Sequence, residues 1–175
     1  MASVTNALSD VSYAVLAVPD ALIHPLLHRL LNDWHAAAPS GALPGHGFID
    51  PMRLNYLLGQ LLVVEVHQAE SDALRFHYRL IGTALVDRLQ KDYTGHWMDE
   101  HEDSEIASAG TAACRLAVIA RQPVRVTAVR RIDASPYPIE YLLLPLTDVG
   151  SRIDRLLIAQ IYPTHAPHLP YRTGS

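Results

Sequence analysis

The chain has 175 residues, a formal net charge of −4, ten histidines and one cysteine, Cys114. This length fits a single domain, and 49% apolar against 18% charged residues excludes a mainly disordered chain. The charge leaves no footprint for a polyanion, so nucleic acid is excluded as a partner, and the lone cysteine excludes an internal disulfide and any cysteine-based zinc or iron–sulfur site.

Residues 1–19 are rich in Ser, Ala and Val, carry Asp10 as their one charge and lack a basic start. They read as a flexible arm, because the apolar run Tyr13 to Val18 is shorter than a signal-peptide core. No stretch approaches the roughly 20 apolar residues of a membrane span, so the expectation is a cytoplasmic protein without membrane contact. Leu22, Ile23, Leu26, Leu27, Leu30, Leu31 and Trp34 then recur at helical spacing. They predict an amphipathic helix over 20–36, with Pro25 tolerated in its first turn. Its stripe must pack on the domain body or on a second copy. In the second case Leu22, Leu26, Leu30 and Trp34 form the interface of a homodimer.

Residues 39–51 are turn chemistry. Asp50 is a candidate N-cap, Pro51 a first helical residue, and a short helix is predicted from Met52 to Leu58. Residues 20–60 thus form an N-terminal helical region. A strand follows from Leu61 to His67, then a turn at Ala69 to Asp72. Leu74, Phe76, Tyr78 and Leu80 alternate with Arg75, His77 and Arg79, which predicts a hairpin strand with one buried face. Gly82-Thr83 opens a short helix over 84–89, with Thr83 as its cap, and Asp92 to Gly95 is a second turn.

A long helix is predicted over 106–121, burying Ile106, Ala109, Ala113, Leu116, Ile119 and Ala120. Strands are predicted at 124–132, 139–146 and 156–162, with turns at Pro136-Tyr137-Pro138 and at Asp148 to Ser151. Residues 61–162 make the body and 163–175 an extended tail. Two strands, a helical crossing and three strands predict a five-stranded antiparallel sheet with helices on one face, an α+β class.

Certain stretches resemble a bacterial family of stand-alone PAS-like sensors, common in alphaproteobacteria, in which an N-terminal helix ending in Trp precedes one PAS body. They are Leu43-Pro44 with Ile49-Asp50-Pro51, Leu57-Leu58 with Leu61-Leu62, Arg75-Phe76-His77-Tyr78-Arg79-Leu80-Ile81-Gly82-Thr83, Asp92-Tyr93-Thr94-Gly95 and Tyr141-Leu142-Leu143-Leu144-Pro145-Leu146. In order they span about residues 20 to 162. One departure is Gln90, where the family usually has Gly. A left-handed residue there costs of order 1 kcal/mol.

The resemblance implies a sheet curved around short helices, with an apolar cavity between them. On that geometry the ligand-binding candidates are Tyr78, Leu80, Leu85, Leu89, Trp97, Met98, Tyr141 and Leu143. The implied function is a stand-alone sensory or regulatory module that binds a small ligand, a protein partner, or both. The chain carries no kinase, output or DNA-binding segment, so a signalling partner or a second copy is expected to transmit the signal. Two alternatives stand beside it. One is a ligand-free dimerisation scaffold. The other is a cone-shaped α+β hydratase or isomerase, for which Tyr78 is the one inward residue capable of proton chemistry.

No catalytic motif supports an enzyme: G-x-S-x-G, the P-loop and G-x-G-x-x-G are absent. No cofactor is required. Haem needs a buried axial histidine, for which His96 and His101 are the nearest, and no Cys-x-x-Cys-His occurs. Thiol-adduct flavin chemistry needs a cysteine among the short helices, whereas Cys114 falls on the long helix and reads as an inert thiol.

No metal site is expected either. His96 and His101 are spaced i, i+5 beside the solvated acids Glu102, Asp103 and Glu105. His24 and His28 are spaced i, i+4 but lack a third ligand. His77 shares the exposed face of Arg75 and Arg79, and Arg79 is expected to pair with an acid such as Asp92.

Overall fold

The apolar stretches within 139–146 and 156–161 lie in interior strands of the sheet. A computed structural model describes residues 6–16, 24–38, 42–132, 135–148 and 152–163. The elements are β1 (Asn6–Val15), α1 (Pro25–Ala37), β2 (Leu61–Gln68), β3 (Leu74–Ile81), α2 (Thr83–Leu89), α3 (Ser104–Ala120), β4 (Val124–Ile132), β5 (Ser135–Thr147) and β6 (Ile153–Ile161). Single 3-10 turns stand at His46–Phe48, Leu58–Gln60 and Met98–Glu100. One sheet of six strands takes the order β1-β4-β5-β6-β2-β3, every pairing antiparallel.

Both faces of the central strands are apolar, and both are covered. On one face Leu62, Val64, Tyr78, Val126, Leu143, Leu156 and Ile158 pack with Leu85, Met98, Ala113, Cys114 and Ala117 from the α2–α3 side. On the other, Leu61, Val63, Leu142, Leu144, Leu146, Leu157 and Ala159 pack with Leu27, Leu30, Leu31 and Trp34 of α1 and with Phe48, Leu54 and Leu57. The α+β class stands as predicted, while α1 lies on the sheet face opposite to α2 and α3. A strand buried on both faces reads as a continuous apolar run rather than an alternation. It needs a cover on each side.

The stripe of α1 is therefore used inside the chain. Leu30 and Trp34 are 0% and 4% exposed, and the Trp34 indole N–H donates to the Pro145 carbonyl at 3.1 Å. That corrects the dimer surface expected from Leu26, Leu30 and Trp34: Leu26 is half-buried against the same cluster, and Leu22 lies outside the described residues. Glu140 anchors the start of the helix. Its carboxylate accepts the His24 backbone N–H at 3.0 Å and the Arg125 guanidinium at 2.6 Å. His24 in turn caps α1, its Nδ1 accepting the Leu26 N–H at 3.3 Å, so this ring serves the helix end. On the polar side, the Tyr56 hydroxyl donates to Asp33 at 2.7 Å and Arg29 lies over the Tyr56 ring at 3.9 Å.

Five further expectations are revised. Residues 6–15, expected within a flexible arm, form β1, the sixth strand. Their Ser-Asp-Val-Ser stretch has no period of its own. The unpaired edge of β4 supplies the ladder, with a register shift between Ser9 and Ser12 that places Asp10 at φ 51°. Pro136-Tyr137-Pro138 is strand, not turn. The β5–β6 pairing ends at Glu140↔Ile161, so these prolines sit where β5 has a neighbour on one side only.

The helix predicted over Met52 to Leu58 gives way to successive turns. The Asp50 carboxylate still accepts the Met52 N–H at 2.9 Å, and its carbonyl the Leu54 N–H at 2.9 Å. Thr83 is the first residue of α2 rather than its cap, and the N-cap, Gly82, has no side chain to offer. A Cβ on Gly82 would stand 2.5 Å from the Gly59 carbonyl oxygen, so only glycine fits that corner. Ile119, expected on the buried side of α3, is exposed. Among the predicted turns, 149–151 lies outside the described residues, as does the tail beyond Pro163.

Two stability predictions follow from these placements. Leu30→Ala leaves a hole between α1 and the sheet and is expected to cost about 2–5 kcal/mol in urea unfolding. Gln90 ends α2 in the left-handed region at φ 55° and ψ 22°. Gln90→Gly relieves that conformation and is expected to raise stability by about 1 kcal/mol, read as a higher melting temperature. A neutral or negative change would show that the Gln90 side chain, which donates to the Asp87 carbonyl, holds the loop more strongly than the backbone resists it.

Candidate functional site

The face of α3 that looks onto the sheet carries small residues. Ala109, Gly110, Ala113 and Cys114 lie opposite Leu62, Val126, Leu143 and Ile158 and leave a cavity of about 110 Å³. Leu89, Tyr93, Met98 and His101 close one side. Leu8 and Val11 of β1 close another, so the sixth strand completes the wall. β1 is tied to α3 by the Tyr13 hydroxyl, which donates to the Ala109 carbonyl at 3.3 Å, and by the Leu8 N–H, which donates to Glu105 at 3.3 Å.

Five of the expected lining residues meet here: Tyr78, Leu89, Met98, Tyr141 and Leu143. Leu85 is buried in the same core without bordering the space. Two point elsewhere. The β2–β3 register shifts between Val63↔Leu80 and Val64↔Tyr78, leaving Arg79 as an extra residue. A bulge reverses the alternation beyond it, so Ile81 turns inward and Leu80 is 49% exposed. Trp97 forms an antiparallel bridge with His77. Bridge partners share a face, so its ring lies outside, 5.0 Å from that of His77. Arg79 likewise faces out and approaches Glu65 at 3.9 Å rather than Asp92.

One end of the cavity is polar. Arg130, Tyr141, Gln160 and Tyr162 all border it. Arg130 is 2% exposed, and the Gln160 amide donates to the Tyr162 hydroxyl at 2.8 Å. Period-two reading could have found this corner: Arg130 continues the buried series Val124, Val126, Ala128, and Gln160 continues Leu156, Ile158. Charge and amide pull against an inward assignment in sequence, and the strand pattern overrides them.

Burial is the leading influence on the titrating groups. It raises the hydroxyls of Tyr78, Tyr141 and Tyr162 and the thiol of Cys114, while the Arg130 charge partly opposes it at Tyr141 and Tyr162. Among the described residues, no carboxylate lines the space. At neutral pH these groups form a fixed set of hydrogen-bonding dipoles beside one guanidinium, suited to orienting a bound molecule.

His101 also borders the space. Its ring stacks on Tyr93 at 4.2 Å and 21°, and its Nδ1 accepts the Asp103 N–H at 3.0 Å. Burial lowers its pKa from the ordinary 6.5, outweighing nearby Asp103. The unfolded chain then takes up the proton first. Stability is full above pH 6.5, falls as pH drops through 6.5, and levels off below the folded-state pKa. His101→Gln is expected to flatten that limb in urea unfolding across mildly acidic pH. An unchanged slope would show that other groups set it.

A family model described as PAS domain matches residues 22–158. No curated protein matches the sequence. A solved structure described as "Structure of an RNA-binding Light-Oxygen-Voltage Receptor" is similar at a TM-score of 0.48 and 12% identity, over 88% of this chain and 38% of that chain. The matched residues run from before α1 into β6, and the chain belongs to the PAS domain family.

Proposed function

We propose that the protein is a non-catalytic sensory module whose signal is a small, mostly apolar molecule bound between α3 and the sheet. The single observation that carries this reading is the cavity itself: about 110 Å³, apolar along α3 and polar at the end formed by Arg130, Gln160 and Tyr162. An apolar cavity of about 150 Å³ admits a molecule of benzene size, so the space suits a small ring or short chain rather than a haem or flavin. The polar end favours a ligand with one acceptor or acidic head group, oriented toward the Arg130 guanidinium.

Occupancy is read through the walls. β1, α3 and the segment around Met98 each contribute side chains to the space and meet solvent on their other side, so a bound molecule tightens elements able to reach a partner. Output passes to a signalling protein or to a second copy of the chain. Leu30 and Trp34 are committed to the core, so that contact uses surfaces other than the stripe of α1. Among the described residues, no helix is long and apolar enough to cross a membrane.

The test is a thermal-shift and calorimetric comparison of benzoate, phenol and toluene, with native mass spectrometry of the protein as purified. Benzoate is expected to raise the melting temperature more than toluene, and Ala113→Leu, which fills the cavity from α3, to abolish the shift while the variant still folds. If no probe binds and no small molecule is retained, the ligand-free scaffold replaces the sensor. Turnover of a bound probe would instead support the enzyme.

A further inference from the structure

We propose that Glu65, His67 and His77 form a binding site for a divalent cation of the zinc class on the outer face of β2 and β3. Strand pairing brings these residues together although 12 positions separate Glu65 from His77. Glu65 and His67 lie two apart on one strand and share a face. The cross-strand partner of Glu65 is His77. Among the described residues, the ligand atoms of these three lie within 4.8 Å of one another.

The spacing suits the metal. Glu65 Oε2 lies 3.2 Å from His77 Nδ1 and 3.7 Å from His67 Nε2. Tetrahedral zinc, bonded at about 2.0–2.1 Å, sets its ligand atoms roughly 3.3 Å apart. One carboxylate oxygen thus faces both imidazoles, while the other, Oε1, is approached by Arg79 at 3.9 Å. Arg79 holds the carboxylate from behind, on the oxygen the metal does not need. Two imidazoles and one carboxylate leave a fourth position for water, and this donor set selects zinc and its neighbours over calcium or magnesium.

The surroundings hold the rings in place. Trp97 meets His67 and His77 edge-on, at 5.1 and 5.0 Å. Arg75 lies over the indole at 4.2 Å and pairs with both oxygens of Asp99 at 3.0 and 2.8 Å. The two histidines therefore stand against a braced aromatic wall rather than free in solvent. Preorganised ligands lose less freedom when the ion binds.

The experiment uses the tag-free 175-residue chain, calorimetric titration with zinc, and the absorption spectrum of added cobalt. The expected result is one zinc bound per chain and a cobalt spectrum of low coordination number. His67→Gln and His77→Gln should each weaken zinc binding at least roughly tenfold. His96→Gln, which removes an exposed ring outside the cluster, should leave it unchanged. Because histidine must be neutral to bind, affinity should fall on acidification. His67 is half-exposed, so its variant keeps the fold, and circular dichroism verifies this for each protein. Absence of zinc binding, or zinc binding that survives both histidine variants, overturns the proposal.

Discussion

Strands β5 and β6 are apolar on both faces, and that one constraint shapes the molecule. Leu142, Leu144 and Leu146 look one way, Tyr141 and Leu143 the other, and Leu157 and Ala159 oppose Leu156 and Ile158. Neither face tolerates water. The chain therefore places α1 and the turns around Leu54 and Leu57 on one side and α2 and α3 on the other. The indole of Trp34 on the Pro145 carbonyl and the carboxylate of Glu140 on the His24 N–H fix the angle of α1. The apolar stripe of α1 answers this demand, which is why it is not left over for a second copy.

The two covers differ in side-chain size, and function follows from the difference. α1 offers Leu27, Leu30, Leu31 and Trp34, which fill their side. α3 offers Ala109, Gly110, Ala113 and Cys114, which cannot, so space remains over Leu62 and Leu143. Buried tyrosines, a glutamine and Arg130 gather at one end because β4, β5 and β6 each carry a polar residue at an inward position there. Beyond the reach of α1, the outer face of β2 and β3 turns polar. There the same period-two logic gathers Glu65, His67 and His77.

Legibility in the sequence varied with how local the signal was. β4 was read at its observed bounds of Val124–Ile132, and β2, β3 and α2 to within a residue or so, because alternation and turn chemistry act over neighbouring residues. The placement of Tyr78, Tyr141 and Leu143 around one space was legible from their strand faces and the resemblance. Leu80 and Trp97 were not, because a bulge at Arg79 and a bridge to His77 invert the faces locally. β1 was illegible for a different reason: its ladder is supplied by β4, more than a hundred residues away along the chain.

Composition and periodicity alone determined an α+β domain without disulfides and the existence and type of its main helices and of five strands, while the resemblance to PAS-like sensors marked Gln90 as a conformational departure at the end of α2. These depend on side-chain spacing and on backbone sterics within a few residues. The tertiary structure alone decided which face each cover takes, that the N-terminal segment is a sixth strand, that Arg130 is buried beside a cavity, and that two of the ten histidines share one carboxylate. Each of those depends on register between distant strands. A shift of one residue there exchanges the two faces, and no local pattern records it.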